Sequence, residues 1–469
     1  MTVPSSELAF ASMSRLQALL SAGEICSREL VELQLSRIDR LDSTLHAYVD
    51  VYREQALAAA DGMDALRRAG AALGPLHGMT VAVKDLFDIE GRPTTGGSVA
   101  QLPRIAEATS TAVRRLRQAG AIVLGKTHTV EFAFGGWGTN ATMGTPRNPW
   151  DMQVHRVPGG SSSGSAVAVA AGLACAAIGT DTGGSVRIPA GLCGVVGLKT
   201  THGLISRHGL IELCPTHDTV GPITRDVADC ALLLDALAGP DPLDPASAMA
   251  PVRRLGPLPG GSVEGLRAWV LPQSEYGKID AGVLTAYHRA LDVFRALGVT
   301  MVDKDLPTSL ADAMQISGQL MSAEAYARLG PLFERDELRF DPHVRRRILL
   351  GRDVSASRYQ ALLASRARAQ ASMQSAMADV DVCIFPTNAV GAIALADVDE
   401  MQTPLSLLGR FVNLLNLCSL AVPAGFDAMG MPASVQIIGP SFGEAVAMQM
   451  GHAYQDATHW HLAHPAGLG

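Results

Sequence analysis

Lys84 is the first residue whose position suggests chemistry, because it directly follows the apolar run MTVAV at 79–83. A lysine at the end of a buried strand loses solvation, which lowers the pKa of its ammonium group. The neutral amine can then act as a general base near neutral pH. Taken alone, however, this lysine fits a simpler interpretation better, in which it pairs with Asp85 or Asp88 near the surface.

A second segment, PGGSSSGSAVAVAAG at 158–172, places three serines between a glycine turn and an alanine-rich helix. Serine hydroxyls commonly cap helix N-termini, and this is the simplest interpretation of the run. Ser162 also stands at the centre of G-x-S-x-G, the turn that carries the nucleophile of many Ser/His/Asp esterases. That turn needs a strand directly upstream, but the preceding MQVHRVP ends in Pro158. An esterase centred on Ser162 is therefore an alternative that we disfavour.

The third segment is GTDTGGSVRIPAGLCG at 179–194, which follows a short apolar strand. Gly183 and Gly184 leave backbone N–H groups bare just before Ser185, as in an oxyanion hole. An ordinary strand-to-helix turn, with Asp181 and Arg187 as an ion pair, would give the same pattern. A phosphate-binding loop is excluded because neither glycine turn continues into G-K-S/T.

Together these segments resemble the signature of the amidase signature family. The match runs through GGSSSGSAVAVAAG and GTDTGGSVRIPAGLCGVVGLKTTHG. Flanking segments agree in the same order: GPLHGMTVAVKD, GTPRNPWD, DTVGPITRDVAD and NLLNLCSLAVPAGF, so the resemblance covers about residues 73–440. It implies hydrolysis of a C–N bond of amide type through an acyl-enzyme, with neither metal nor cofactor.

The resemblance also implies a role for each matching residue. Ser185 corresponds to the nucleophile, Ser161 to a bridging serine that follows a cis peptide bond, and Lys84 to the base. A serine hydroxyl is a weak nucleophile and needs such a base beside it. The oxyanion hole would be formed by backbone N–H groups of Thr182, Gly183, Gly184 and Ser185.

The branch of the family is less defined than the chemistry. Segment 212–222, ELCPTHDTVGP, resembles stand-alone hydrolases of small or aryl amides, ureides or carbamates, which is our main interpretation. Segments 201–210 and 344–359 resemble instead the glutaminase subunit of a tRNA-dependent amidotransferase, which is the alternative. A non-catalytic subunit is disfavoured because all three catalytic candidates are intact. Family specificity lies in loops, and we expect substrate contacts from Gly135, Gly136, Trp137 and Arg187.

Composition limits the partners. The 469 residues carry a formal net charge of −7, which argues against nucleic acid as a partner. No apolar run reaches the roughly 20 residues of a membrane helix. Seven scattered cysteines without a C-x-x-C pair indicate neither disulfides nor a zinc site. We therefore expect a cytoplasmic enzyme that binds a small substrate and no metal. The assembly that we consider for it is a homodimer.

The elements that must position these residues alternate between strand and helix. Short apolar runs such as 79–83, 121–125 and 195–199 predict strands, and amphipathic stretches between them predict helices. This alternation predicts an α/β fold with one large, mixed, mostly parallel sheet between helices on both faces. We expect one domain over 1–469. It comprises a helical segment at 1–70, the signature core at 71–240, a surface connection at 239–262 and a pocket-forming part of the same sheet at 263–469.

Overall fold

A computed structural model describes residues 4–248, 250–251, 256 and 261–468 of the chain. The remainder of the predicted connection at 239–262, namely 249, 252–255 and 257–260, lies outside the described residues. Within them, eleven strands form one sheet in the order β1-β3-β2-β4-β6-β5-β10-β11-β9-β7-β8. The strands are β1 Tyr48–Val51, β2 Thr80–Lys84, β3 Ile122–Thr127, β4 Ala176–Asp181, β5 Val196–Lys199, β6 Thr219–Thr224, β7 Arg267–Val270, β8 Thr300–Val302, β9 Val382–Pro386, β10 Cys418–Phe426 and β11 Pro432–Gly439.

Helices follow most of these strands along the chain. None in the described ranges is long and apolar enough to cross a membrane. The α-helices are α1 Ser5–Phe10, α2 Met13–Ala22, α3 Ser27–Leu45, α4 Arg53–Arg68, α5 Thr111–Gln118, α6 Ser163–Ala170, α7 Arg187–Cys193, α8 Val227–Leu237, α9 Ala281–Ala296, α10 Leu310–Phe333, α11 Pro342–Leu349, α12 Ala356–Ala376, α13 Ser406–Leu414 and α14 Glu444–Thr458.

Alternate residues of the central strands point into two separate apolar clusters. In β2, Val81 and Val83 belong to one cluster, together with α2, α5 and α8. Ala82 belongs to the other, together with α3, α4 and α6. Side chains of a strand alternate between its two faces, so helices bury both faces of the sheet. The predicted single sheet between two helical layers is confirmed.

The balance of strand directions differs from the expectation. Parallel pairing is confined to β2 with β3 and β4, and to β7 with β8 and β9. The pairs β1–β3, β4–β6, β5–β6, β5–β10, β10–β11 and β9–β11 are antiparallel. A short turn joins β10 directly to β11, and such a connection permits only antiparallel pairing. The sheet is mixed, as predicted, but it is not mostly parallel.

The N-terminal segment also contributes to the sheet. Residues 48–51, within the stretch predicted to be helical, form β1 and pair with β3 at the sheet edge. Four residues are too few to show a period-two pattern, so the neighbouring helical periodicity dominates the prediction. The regular structure of residues 4–70 is therefore helical except for this edge strand.

Candidate active site

Lys84 ends β2, an internal strand of the sheet between β3 and β4, and its side chain is fully buried. Its Nζ donates hydrogen bonds to Ser161 Oγ and to Thr180 Oγ1, both at 2.8 Å. Burial lowers the pKa of Lys84 to about 7, although the carboxylates of Asp181 and Asp218 partly oppose this shift. Lys84 is thus placed and poised to exchange a proton with Ser161.

The simpler interpretation of Lys84 as a surface ion pair does not hold. Asp85 pairs with Lys126 at 2.8 Å in the core, and Asp88 pairs with Arg104 at 2.7 Å. Both carboxylates that neighbour Lys84 in sequence are therefore bound by other cations.

The loop before α6 brings Ser161 to Lys84. The Gly160–Ser161 peptide bond is cis. A Cβ on Gly160 would lie 2.8 Å from the backbone of Gly138, so only glycine allows the two loops to approach this closely. The backbone N–H of the next residue, Ser162, donates to Ser185 O at 3.1 Å. This hydrogen bond ties the two serine segments together.

Ser162 is bonded within the protein. Its buried Oγ donates to Thr180 O at 3.2 Å and accepts from Thr180 N at 3.3 Å. It makes no hydrogen bond to a histidine within the described ranges, and no strand leads into α6 from the residues just upstream. The geometry gives the esterase alternative no support.

Ser185 lies on the turn between β4 and α7 and lines a small pocket together with Gly183. The backbone N–H groups of Thr182, Gly183 and Ser185 donate to no acceptor in the described part of the chain. That of Gly184 donates to Asp181 Oδ1 at 2.8 Å. Gly184 therefore does not offer the free donor that we expected, whereas the other three remain available to a substrate oxygen.

Arg187 is a structural residue, not the substrate contact that we expected. Its fully buried guanidinium donates to both oxygens of Asp181 at 2.9 and 3.1 Å, to Asn413 Oδ1 at 2.7 Å and to Gln436 Oε1 at 2.9 Å. Burial alone would raise the pKa of Asp181, but Arg187 holds it well below its usual range. Since these bonds engage Arg187 with the protein, this ion pair shapes the turn that carries Ser185.

Asp218 is a site residue that sequence reasoning missed. Its Oδ1 accepts from Thr182 Oγ1 at 2.6 Å, and its Oδ2 accepts from the N–H groups of Leu213 and Cys214 at 2.8 and 2.9 Å. Burial raises its pKa to about 6, against the opposing effect of the Thr182 hydrogen bond. Asp218 therefore remains mostly ionised at pH 7 and fixes one end of the candidate oxyanion turn.

The pocket beside Ser185 is narrow, with a cavity volume of about 20 Å³. Gly135 and Gly136, two of the residues from which we expect substrate contacts, line this pocket. Trp137 does not, because its indole is buried in an apolar cluster and donates to Gln402 O at 3.0 Å. The polar members lie more than 150 positions beyond Ser185, and none of them was predicted individually from the sequence: Arg347, Thr403, Ser406 and Arg410.

Among the described residues, no group of three or more His, Cys, Asp or Glu side chains could hold a metal ion. The chemistry available at the site is that of Lys84, Ser161, Ser185 and the backbone N–H groups of the turn that donate to no acceptor among the described residues. The arrangement suits attack of a serine on a carbonyl carbon.

The family described as Amidase matches residues 29–447. The chain therefore belongs to the amidase family, whose members cleave C–N bonds of amides, and the resemblance to the amidase signature is confirmed.

Individual relatives show which members of the amidase family this chain is similar to. The chain is 40% identical to the A subunit of the glutamyl-tRNA(Gln) amidotransferase of Halorhodospira halophila, over 97% of this chain and 99% of that protein. It is 37% identical to the same component of the enzyme from Geobacter metallireducens, with the same coverage. Among solved structures, a vestigial complex related to the origins of an s-triazine catabolic enzyme matches with a TM-score of 0.90 and 30% identity, over 96% and 99% of the two chains. Native peptide amidase from Stenotrophomonas maltophilia matches with a TM-score of 0.85 and 32% identity, over 97% and 98%.

These relatives overturn the expectation that nucleic acid plays no part. They are subunits of an enzyme named for a tRNA, and the similarity spans nearly the whole chain. The expectation relied on a net charge of −7. The charge of one chain does not report on nucleic acid that other subunits of an assembly can bind, so composition was the wrong guide here.

Proposed function

We propose that this chain hydrolyses an amide through Ser185 as nucleophile, Ser161 as bridging acid and base, and Lys84 as the terminal base. The observation that carries the proposal is the 2.8 Å hydrogen bond between Lys84 Nζ and Ser161 Oγ, in a site where burial brings the lysine pKa to about 7. A fully protonated lysine could not accept a proton. At this pKa, a large fraction is neutral at physiological pH.

The proposed reaction begins at Ser185. Ser185 Oγ attacks the carbonyl carbon and passes its proton to Ser161, which passes its own proton to Lys84. The carbonyl oxygen gains a negative charge and accepts hydrogen bonds from the free N–H groups of the turn, such as those of Thr182 and Gly183. The C–N bond then breaks as Ser161 returns a proton to the nitrogen. Water attacks the acyl-enzyme by the reverse route and releases the carboxylic acid.

We further infer that the amide is that of glutamine, and that the chain serves as the glutaminase component of a glutamyl-tRNA(Gln) amidotransferase. Similarity to the A subunits of such enzymes, at 37 and 40% identity over 97% of this chain, supports this assignment. Ammonia released at Ser185 would then be used by the assembly on glutamyl-tRNA. The stand-alone hydrolase that we preferred from the sequence becomes the second candidate.

The similarity to solved structures favours the second candidate, stand-alone hydrolysis of a small amide or ureide. The fold superposes on the structure related to the s-triazine catabolic enzyme with a TM-score of 0.90 and on peptide amidase with 0.85. The TM-score for the solved A subunit of the amidotransferase from Thermotoga maritima is 0.80.

Ammonia release separates the two functions. The purified chain would be assayed on glutamine and on a panel of neutral amides and ureides, alone and after co-expression with the other amidotransferase components of its source. Glutaminase activity that rises with those components and with glutamyl-tRNA supports the first function. Full activity of the chain alone on another amide supports the second.

Two variants test the nucleophile itself. Ser185→Ala should abolish turnover in either case. Ser375→Ala, an exposed serine on α12, is the matched control and should leave turnover unchanged. Unchanged turnover by Ser185→Ala would overturn the catalytic assignment.

A further inference from the structure

One cation of the pocket has no hydrogen-bond or ion-pair partner in the part of the chain that the structure describes. Arg410, on α13, lines the pocket beside Ser185. Its Nε is buried and makes no hydrogen bond, and within the described ranges its guanidinium enters no ion pair and no side-chain hydrogen bond. Arg347, the other pocket arginine, donates to Phe134 O at 2.8 Å and to Glu400 Oε2 at 2.6 Å. Of the two cations, only Arg347 is neutralised by the protein.

An unpaired arginine in such a place is unfavourable for the free protein. Burial lowers the pKa of Arg410 to about 10, and the charge of Arg347, which has the same sign, lowers it further. Arg410 is therefore still protonated at neutral pH. Arg410 as a whole is only partly exposed, so water solvates its unpaired charge incompletely. This incomplete solvation costs free energy, and an anion that enters the pocket recovers it.

Arg410 also lies directly against the candidate oxyanion turn. A Cβ on Gly183 would come within 3.0 Å of Arg410 Cγ, and one on Gly409 within 2.4 Å of Gly183 O. The hydroxyl-bearing residues Thr403 and Ser406 line the same pocket. An anion on Arg410 would thus share one small pocket with the carbonyl group attacked by Ser185.

We propose that Arg410 binds a carboxylate of the substrate, so that this amidase acts on amides that carry a second, anionic group. The planar guanidinium can donate two parallel hydrogen bonds to a carboxylate, which fixes the orientation of the substrate. This inference rests on the proposed hydrolysis at Ser185 and specifies its substrate class. Glutamine and carboxylated ureides share this chemistry.

Two matched substrates test the inference. Glutaramate and pentanamide have the same five-carbon amide chain and differ in a terminal carboxylate in place of a methyl group. The wild-type chain should prefer glutaramate in kcat/KM by about 100-fold, a size typical of a desolvated charge pair. Arg410→Met should remove most of this preference by lowering kcat/KM for glutaramate while leaving that for pentanamide within about 3-fold.

Two further variants serve as controls. Arg410→Lys keeps the charge without the planar fork and should restore part of the preference. Arg352→Met removes an exposed arginine beyond α11 and should change neither substrate. Equal kcat/KM of the wild-type chain for both substrates, or equal losses for both in Arg410→Met, would overturn the inference. Including glutamine and a carboxylated ureide identifies which source of the carboxylate is preferred.

A binding measurement separates this inference from the proposed function. Calorimetric titration of Ser185→Ala with glutarate should show binding that disappears in Ser185→Ala/Arg410→Met. Glutarate binding without hydrolysis of any amide would refute the proposed function and support the inference. Hydrolysis of neutral amides, with no glutarate binding to Ser185→Ala, would support the proposed function and refute the inference about Arg410.

Discussion

At the scale of single residues, the pKa of Lys84 governs the pH dependence. Because only the neutral amine accepts the proton of Ser161, kcat/KM should rise with pH through an ionisation near the lysine pKa of about 7 and level off above it. Lys84→Met should lower kcat/KM by about 10³-fold, and Lys84→Arg should not restore it, since arginine stays protonated. A pH–rate profile that is flat between about pH 6 and 8 would contradict this role.

Asp218 tests the electrostatics around that lysine. Its carboxylate raises the pKa of Lys84, so Asp218→Asn should move the ionisation in the kcat/KM profile to lower pH. Turnover should also fall by about 10-fold or more, because Thr182 loses its carboxylate acceptor. Asp353→Asn, on an exposed aspartate, is the control. A role confined to folding would lower the amount of active enzyme without moving the midpoint of the profile.

At the scale of elements, the contact between α13 and the turn before α7 depends on glycine. A Cβ at Gly409 would lie 2.4 Å from Gly183 O, so backbone would have to move. Gly409→Ala should destabilise the protein by about 1–3 kcal/mol and reduce kcat, because the displaced turn carries the oxyanion donors. Gly282→Ala in α9, where a Cβ meets nothing within 4 Å, should be neutral or slightly stabilising. Urea unfolding and steady-state kinetics of both variants measure these effects, and equal behaviour would refute the contact argument.

The same scale shows why some elements escaped prediction. Strand β6 contains Gly221 and Pro222, and β10 contains Pro423 and Gly425, residues that normally argue against a strand. Both are buried between two neighbouring strands, and this tertiary pairing overrides local propensity. Strands with an uninterrupted apolar run, such as β2 and β3, were predictable because an apolar composition by itself indicates burial.

At the scale of the whole molecule, the Asp181–Arg187 pair joins β4 and α7 to α13 and β11. Arg187→Met leaves Asp181 buried without its counter-ion and should cost about 3–5 kcal/mol of unfolding free energy. The double variant Asp181→Asn/Arg187→Met should lose less than the sum of its single variants, because no uncompensated charge remains. Arg295→Met, which breaks an exposed pair with Asp292, should cost well under 1 kcal/mol. Urea unfolding measures the unfolding free energies of all these variants. If the losses of the two single variants simply add up in the double variant, the coupling between Asp181 and Arg187 is refuted.

The Asp181–Arg187 pair also predicts how the unfolding free energy changes at acidic pH. The pKa of Asp181 is lowered in the folded protein, so its contribution to stability is present above the pKa of an unfolded aspartate. That contribution is lost as pH falls through the folded value. The difference in unfolding free energy between the wild-type chain and Asp181→Asn should therefore shrink as pH decreases below about 4. A difference that grows on acidification would contradict the linkage.

By itself, the sequence determined the family, the alternation of strands and helices, and the candidates Lys84, Ser161 and Ser185, because glycine turns and apolar runs are local signals. Only the tertiary structure decided that Arg187 is bound within the protein, whereas Arg410 has no partner among the described residues. The partners of Arg187 lie up to 249 positions away in Gln436, and Arg410 reaches the pocket from a helix more than 200 positions beyond Ser185. Whether a buried charge is satisfied depends on such distant neighbours, and no local pattern encodes them.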